Sequence, residues 1–274
     1  MGLRDRGIEL KTRDQILSMR AAGLVVGRTL EILREAVRPG ITTGELDAIA
    51  EDNIRGSGAV PSFKGYHGFT GSICASVNEE IVHGIPGRRV LRDGDIISLD
   101  CGAIVDGWHG DAAITVGVGE VDPALLELAK VCEDAMWQGF AAAKLGGRLT
   151  DISHAVEQHV RSVSSYGIVT DFVGHGIGSA MHQPPNVPNY GRPGRGPKLV
   201  EGMALAVEPM LTLGKQDNHT LADDWTVVTD DGLPAVHTEH TFTLTPAGPW
   251  ILTALDGGES RLSSLGVPCG ALAE

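Results

Sequence analysis

The sequence predicts an α+β fold made of two similar halves, each with two helices followed by a β-hairpin. Apolar residues recur at helical spacing in 12–58, helix-entry and helix-breaking residues mark two more helices in 122–163, and both regions lead into alternating, strand-like segments. Two motifs also recur at nearly the same offset: Asp93-Gly94-x-x-Ile97-x-Leu99-Asp100 matches Glu201-Gly202-x-x-Leu205-x-Val207-Glu208, and Gly40-x-x-Thr43 matches Gly147-x-x-Thr150. We interpret this repeat as two half-chains related by a pseudo-twofold axis.

Length and spacing predict one folded domain with a short addition at each end. A chain of 274 residues can bury a large core. We expect an N-terminal extension at 1–11, a single domain at 12–254 and a flexible C-terminal tail at 255–274. The pseudo-repeats within the domain span about 12–120 and 121–254.

Composition indicates a soluble, cytoplasmic protein. Hydrophobic residues make up 42% of the chain and charged residues 21%, as is usual for globular proteins. The formal charge of -13 argues against nucleic acid or an anionic membrane as the main partner, because both select for basic surfaces. The four cysteines form no C-x-x-C pair and the charged N-terminus lacks an apolar run, so neither a structural zinc site nor a signal peptide is expected.

Capping and breaking residues define four predicted helices and the strands between them. The first helix starts at Thr12, whose hydroxyl can cap it while Gln15 reaches back in a capping box. The predicted bounds are Thr12 to Pro39-Gly40, Thr42 or Thr43 to Gly56, Asp122-Pro123 to about Lys144, and Thr150 to Val163. The second half then continues with a glycine-rich segment at 174–178, a proline-rich loop at 184–197, a strand into Glu208-Pro209 and a final strand around Glu239.

Residues 93–111 read as a hairpin that holds two carboxylates. Apolar and polar residues alternate on both sides of Asp106-Gly107, a dipeptide typical of tight two-residue turns. This register pairs Gly102 with Asp111 and places Asp100 and Asp111 on one face as diagonal neighbours. We expect Gly102 to leave the space between them empty. Because two converging carboxylates repel each other, a divalent metal is the expected occupant.

The second half offers three further candidate ligands. They are His175 within the glycine-rich segment, Glu208 at the end of an alternating strand, and Glu239 in Val236–Phe242. One imidazole with four carboxylates suits two adjacent divalent ions, which can activate a shared hydroxide and polarise a carbonyl. Each residue also has a simpler interpretation by itself, as a turn-capping or solvated carboxylate, a loop histidine or a surface ion pair.

Together these residues resemble the methionine aminopeptidases, in the type I form found in bacteria (metallopeptidase family M24). The resemblance spans about 12–247 and is carried by an ordered set of motifs: Gly65-Tyr66-His67-Gly68, Val82-His83-Gly84-Ile85-Pro86, Asp100, His109-Gly110-Asp111, Gly174-His175-Gly176-Ile177-Gly178, Met181-His182-x-x-Pro185, Val207-Glu208-Pro209 and Thr238-Glu239-His240-Thr241. It implies the pita-bread fold, an antiparallel sheet backed by helices in two pseudo-twofold-related halves, and a single catalytic domain.

The resemblance also implies roles for individual residues. Asp100 would chelate one metal, Asp111 and Glu239 would bridge both, and His175 and Glu208 would complete the second. Glu208 would in addition shuttle the proton of the attacking water. His182 would hydrogen-bond the oxygen of the tetrahedral intermediate, and His83 would lie near the scissile nitrogen, although both positions also suit plain loop histidines.

A methionine pocket is implied as well, and aromatic rings with soft sulfur suit an unbranched thioether. Its expected residues are Phe63, Tyr66, Phe69, Cys74, Met181 and Trp225, with His83 and His182 at the substrate. Core packing is the alternative for each of the six. Phe63 and Met181 depart from the family, because many bacterial members have a smaller Cys at the first position and a Phe at the second.

The expected function is removal of the initiator methionine from nascent proteins with a small second residue, using two divalent ions per chain (Co, Mn, Fe(II) or Zn). A non-catalytic binding protein of the same fold and an X-Pro aminopeptidase-like enzyme are the alternatives. The first typically loses metal ligands, and the second usually carries a large N-terminal domain. The expected partners are N-terminal methionine peptides and, transiently, the ribosome, and the expected state is a monomer.

Overall fold

The computed structural model describes residues 7–272. Residues 1–6 of the predicted N-terminal extension and the last two residues of the predicted tail lie outside this range. The described helices are α1 (Arg13–Ala36), α2 (Thr43–Gly56), α3 (Pro123–Ala142), α4 (Leu149–Val163) and α5 (Glu259–Ser264), with a 3-10 turn at Tyr66–Gly68. Among these residues, no helix is both long and apolar enough to cross a membrane.

The predicted capping residues begin the first two helices. Thr12 and Gln15 form a reciprocal capping box at α1, and Thr42 and Glu45 form the same arrangement at α2. Each box satisfies backbone N–H groups that have no partner within the helix. The four predicted helices are confirmed, although α3 ends two residues before Lys144 and α4 begins one residue before Thr150.

Most strands join one antiparallel sheet. The strands are β1 (Val60–Pro61), β2 (Ile73–Val77), β3 (Glu80–Val82), β4 (Ile96–Val105), β5 (Trp108–Gly117), β6 (Gly167–Ile168), β7 (Gly174–Gly176), β8 (Gln183–Val187), β9 (Ala204–Val207), β10 (Met210–Thr212), β11 (Asn218–Thr220), β12 (Val227–Thr229), β13 (Ala235–His237), β14 (Glu239–Thr245) and β15 (Gly248–Ile251). The main sheet runs β1-β4-β5-β14-β9-β7-β8, with β2 on β4 and β15 on β14. The prediction of a loop at 184–197 is therefore wrong as far as Val187, because these residues belong to β8, which pairs with β7.

The β4–β5 hairpin has the predicted register. Asp100 pairs with Ala113, Gly102 with Asp111 and Val105 with Trp108. Asp106 and Gly107 form the turn with φ of 50° and 82°, as a two-residue turn between twisted strands requires.

The two halves meet in the middle of the sheet. Strand β5 of the first half pairs with β14 of the second through Glu239 opposite Ala113 and His240 opposite Ala112. The hydroxyl of Thr241 adds a bond of 2.8 Å to the carbonyl oxygen of Asp111. We call this short pairing the seam, and two of the predicted metal ligands lie beside it.

Each half packs its helices on one part of the sheet. One buried cluster joins α1 and α2 to β2, β4 and β5, and a second joins α3 and α4 to the strands of the second half. Helix α1 approaches β5 unusually closely, since a Cβ at Gly110 would lie 2.7 Å from the backbone nitrogen of Gly23. A Cβ at Gly23 would in turn overlap the carbonyl oxygen of Leu252. Only glycine permits this contact, which fixes the backbone directly before Asp111.

Candidate metal centre and apolar pocket

A cavity of about 370 Å³ lies on the sheet face opposite the helices, and all the residues predicted for the site line it. These are the candidate ligands Asp100, Asp111, His175, Glu208 and Glu239, the histidines His83 and His182, and the pocket residues Phe63, Tyr66, Phe69, Cys74, Met181 and Trp225. Segments more than 100 residues apart in the chain converge here.

The first half supplies two carboxylates from one hairpin. Asp100 lies in the middle of β4 and Asp111 on β5, facing the same side as the register requires. Asp111 is only 4% exposed. One oxygen of each, Oδ1 in both cases, is buried without a hydrogen-bond partner.

The second half supplies its candidate ligands from three strands. His175 lies on β7, Glu208 directly follows β9, and Glu239 begins β14. Nε2 of His175 lies 3.5 Å from Oε1 of Glu208 and 4.0 Å from Oε1 of Glu239. Asp111, His175 and Glu239 present one ligand atom each within 4.8 Å of one another.

Burial dominates the electrostatics of this group. It raises the pKa of Asp100 to about 7 and the pKa values of Asp111, Glu208 and Glu239 well above their usual range, and the neighbouring carboxylates add to the effect in the last three. Burial lowers the pKa of His175 to about 3, so that its ring is neutral. Four carboxylates that resist ionisation beside a neutral imidazole require protons or cations between them.

The donor set fits divalent cations. The unpartnered oxygens of Asp100, Asp111 and Glu239 point into one cavity, and a buried polar atom without a partner is costly unless something binds it. Oxygen-rich groups with an imidazole suit Mn, Fe, Co and Zn, and the neutral nitrogen of His175 is the form that coordinates metal.

The six pocket residues form one apolar cluster beside the carboxylates. Phe63, Phe69, Cys74 and Met181 are each at most 6% exposed, and Tyr66, Ile85 and Trp225 pack against them. The rings of Phe69 and Trp225 meet edge to face at 5.0 Å. Because Cys74 pairs with Asp100 across β2 and β4, the cluster directly adjoins the carboxylates.

The expected empty space at Gly102 is wrong. A Cβ at Gly102 would lie 2.8 Å from Cε1 of Phe63 and 2.8 Å from Cβ of Ser62. The ring of Phe63 therefore covers the glycine, and the missing side chain makes room for the wall of the apolar pocket. Sequence alternation on the hairpin could not reveal this, because Phe63 arrives from a separate segment.

The two predicted histidines flank the cavity. The ring of His182 lies 4.3 Å from that of His175, and its Nδ1 is 2.9 Å from the hydroxyl of Tyr66. His83 adopts the left-handed conformation with φ of 60° and contacts Trp225 edge to face at 6.1 Å. Burial lowers the pKa of His83 to about 4 and also lowers the pKa of His182.

Three further residues line the cavity that the sequence did not predict, namely His67, Val82 and His237. His237 is the most informative, because it is 2% exposed and lies 3.7 Å from Glu208 and 3.8 Å from Glu239. Its position two residues before Glu239 puts both side chains on one face of an extended segment, a signal available in the sequence.

The model of metallopeptidase family M24 matches residues 18–246. The chain is 53% identical over 247 residues to the methionine aminopeptidase of Clostridium acetobutylicum, an alignment that covers 90% of this chain and 98% of that protein. The chain belongs to metallopeptidase family M24. Methionine aminopeptidase 1 of Mycobacterium tuberculosis is 50% identical to this M24 chain over 254 residues, with 90% and 96% covered.

Solved M24 structures share the fold. The crystal structure of methionine aminopeptidase from Thermotoga maritima has a TM-score of 0.88 at 40% identity and covers 90% of this chain and 99% of its own. Prolidase from Pyrococcus furiosus has a TM-score of 0.73 at 21% identity, with 92% and 66% covered, and shows the fold alone. The predicted pita-bread fold and the predicted type I methionine aminopeptidase family are confirmed, and the chain is a divalent-metal hydrolase of the exopeptidase type.

Proposed function

We propose that this M24 enzyme removes the initiator methionine from nascent proteins and peptides whose second residue is small. The observation that carries the proposal is the direct junction of the apolar cluster with the buried carboxylates, through Cys74 opposite Asp100. An unbranched thioether in the cluster would place its own carbonyl at the carboxylates. The cavity is too small, at about 370 Å³, to enclose a long peptide.

Five residues would hold the cations. Asp100, Asp111, His175, Glu208 and Glu239 converge from both halves with unpartnered oxygens among them. When bound, two divalent cations would supply an activated water and polarise the scissile carbonyl. The substrate's free α-amine would bind near one cation, which favours an exopeptidase over an endopeptidase.

Glu208 would transfer the proton. Its carboxyl group lies at the end of β9, and burial together with Asp100 and Asp111 raises its pKa well above the usual range. A carboxylate beside the activated water can accept its proton and return it to the leaving amine. His83, on the Trp225 side of the cavity, would lie near that leaving nitrogen.

His182 would donate a hydrogen bond to the oxygen that develops negative charge. If the Tyr66 hydroxyl donates to Nδ1 of His182, the ring proton is on Nε2. A neutral imidazole in this tautomer is a preorganised donor in a water-poor site.

The test is peptide cleavage by the purified chain, reloaded with Co, Mn or Fe(II) in turn. We expect cleavage of Met-Gly and Met-Ala peptides, little cleavage of Met-Leu peptides and none of Xaa-Pro substrates. Glu208→Ala and Asp111→Ala should lose the activity with every metal. Full activity in either variant would contradict the proposal, and preferred Xaa-Pro cleavage would favour the prolidase-like alternative.

We also propose that the enzyme acts in the cytoplasm as a monomer. Because its substrates are nascent chains, it would contact the ribosome transiently. Supporting this part of the proposal, the exposed basic residues Arg148, Arg195 and Lys198 lie near one another, since the backbone of Arg148 pairs with that of Lys198 and the amide of Arg195 donates to Thr150, with Asp151 among them. Such a group of basic residues suits RNA phosphates. Cosedimentation with ribosomes at low salt, compared between the wild-type chain and a variant with Arg195 and Lys198 changed to Glu, checks it.

A further inference from the structure

We propose that His237 is a positioning residue of the metal centre, which donates a hydrogen bond from Nε2 to Oε2 of Glu208 when cations are bound. The inference deepens the proposed function, on which it rests, and concerns a residue outside the five candidate ligands. His237 is 2% exposed, and its Nε2 is buried without a partner. A buried imidazole nitrogen in that state points to an interaction that forms only in the loaded enzyme.

The backbone of His237 is clamped to the first half of the molecule. Its N–H donates to the hydroxyls of Ser98 at 3.0 Å and Thr115 at 3.2 Å, and the Thr115 hydroxyl donates to its carbonyl oxygen at 2.7 Å. Ser98 and Thr115 are directly opposite on β4 and β5. The imidazole is therefore held over the same sheet face that carries Asp100 and Asp111.

The two glutamates lie between two imidazoles. His175 approaches Oε1 of Glu208 at 3.5 Å, whereas His237 approaches Oε2 at 3.7 Å. Glu239 repeats the arrangement, with His175 at 4.0 Å from Oε1 and His237 at 3.8 Å from Oε2. Each carboxylate thus presents one oxygen to each ring.

On the side of the two glutamates that faces His175, Asp111 of the first half forms one group with His175 and Glu239. Glu208, His237 and Glu239 form a second group that could hold a cation, but this group has no carboxylate from the first half. Cations held between the two halves therefore belong on the His175 side, and the Oε2 atoms are left facing His237. A distance of 3.7 Å is beyond a hydrogen bond, and a shift of less than about 1 Å makes one.

A donor in this position would orient Glu208 for proton transfer without touching the substrate. Partners of metal-ligating carboxylates typically change metal affinity or activity by about 10- to 100-fold when removed. His237→Leu removes the donor at similar volume, while His237→Gln keeps an N–H that can reach the same oxygen. The pair separates hydrogen bonding from packing.

The experiment measures metal affinity by calorimetry with Mn(II), kcat and KM on a Met-Ala peptide, and the number of imidazole ligands by X-ray absorption. We expect H237L to lower kcat and weaken metal binding by about 10- to 100-fold with KM nearly unchanged, H237Q to recover to within about threefold of wild type, and one imidazole per bound pair of ions in all three proteins. His219→Gln, at an exposed histidine on β11, is the matched control and should behave as wild type.

Two results would overturn the proposal. Wild-type metal affinity and kcat in H237L would show that His237 has no such role. Equal impairment of H237Q and H237L, with loss of one imidazole from the absorption spectrum, would make His237 a direct ligand. If H237L does not fold, H237A, which also lacks the donor, takes its place in the comparison with H237Q. Metal affinity is read without peptide cleavage, so an error in the proposed substrate would not mimic either result.

Discussion

The two halves of the molecule build the same centre by different means. In the first half, Asp100 and Asp111 come from one hairpin whose strands pair over ten residues each. In the second half, His175, Glu208 and Glu239 come from three strands, and β9 spans only Ala204–Val207. Strand β4 continues past Asp100, whereas β9 stops before Glu208 because Pro209 follows, which lacks the N–H needed for the ladder.

This difference shows where the site is rigid and where it depends on tertiary packing. A continuous ladder fixes the separation of Asp100 and Asp111 locally. The second-half ligands lie on or beside short strands and are positioned by contacts with neighbouring segments. For example, the side-chain amide of Asn189 donates a hydrogen bond of 3.1 Å to the carbonyl oxygen of Glu208. Substitutions in the two halves should therefore differ in their effects on the site.

The largest expected effect comes from the two residues at the seam, one from each half. Asp111→Asn and Glu239→Gln each remove a charge that would bridge both cations, and we expect each to lower kcat/KM by about 10³-fold or more, since the cations supply several kcal/mol of charge stabilisation. Cleavage of a Met-Ala peptide and metal content measure the loss. Asp106→Asn, at the exposed turn of the same hairpin, is the control, and a much smaller loss in one half than in the other would break the equivalence.

The next largest effect is on the pH dependence of metal binding. The pKa of Asp100 is raised to about 7 and those of Asp111, Glu208 and Glu239 are also raised, so the metal-free centre carries protons near neutrality that a cation must displace. Apparent affinity should therefore rise with pH, by about tenfold per unit for each proton released. Calorimetry with Mn(II) at pH 6, 7 and 8 in two buffers counts these protons, and a pH-independent affinity contradicts the assignment.

A smaller effect should follow from closing the space between α1 and the segment that follows β15. Gly23→Ala would force a methyl group into the backbone at Leu252, and we expect a loss of about 3 kcal/mol in the free energy of unfolding. A change on α3 of the second half, Gly139→Ala, meets Cγ2 of Val156 and of Ile152 at 3.0 and 3.2 Å, with the nearest backbone atom at 3.7 Å, and should cost less. Urea unfolding of both variants, with Gly56→Ala in open space as the control, tests this ranking.

The smallest effect is expected where the hairpin meets the pocket. Gly102→Ala should push the Phe63 ring into the cavity and raise KM for methionine peptides by up to about tenfold, with kcat less affected. Adding Phe63→Ala to Gly102→Ala should restore part of the loss, since the clash with the ring disappears and only the contact with Ser62 remains. The double-mutant cycle measures the coupling, and additive effects would show that the two residues act separately.

The first half could be predicted from the sequence almost completely, because its signals are local. The Asp106-Gly107 turn and period-2 alternation fix the register, and the Thr12 and Thr42 capping boxes fix two helix starts. The second half was predicted less well. The prolines at 184–185 predict a loop where the structure has the strand Gln183–Val187. This strand forms because its backbone pairs with β7. The spacing of His237 and Glu239 places both on one face of an extended segment, but the contacts of Phe63 with Gly102 and of His237 with Glu208 join distant segments, and single-sequence patterns do not reveal such contacts.

The seam is the place where bound cations would connect the two halves of the molecule. Each half has its own buried cluster, and β5 and β14 are joined by only two paired positions and the Thr241 hydroxyl. Other contacts also join the halves, among them the hydrogen bonds of His237 to Ser98 and Thr115 and the packing of Met19 with Leu252. Ions held between Asp111 and Glu239 would cross-link the halves at the seam, so metal loading would slow amide hydrogen exchange there more than within either cluster. The cations needed for catalysis would then also stabilise the contact between the two halves.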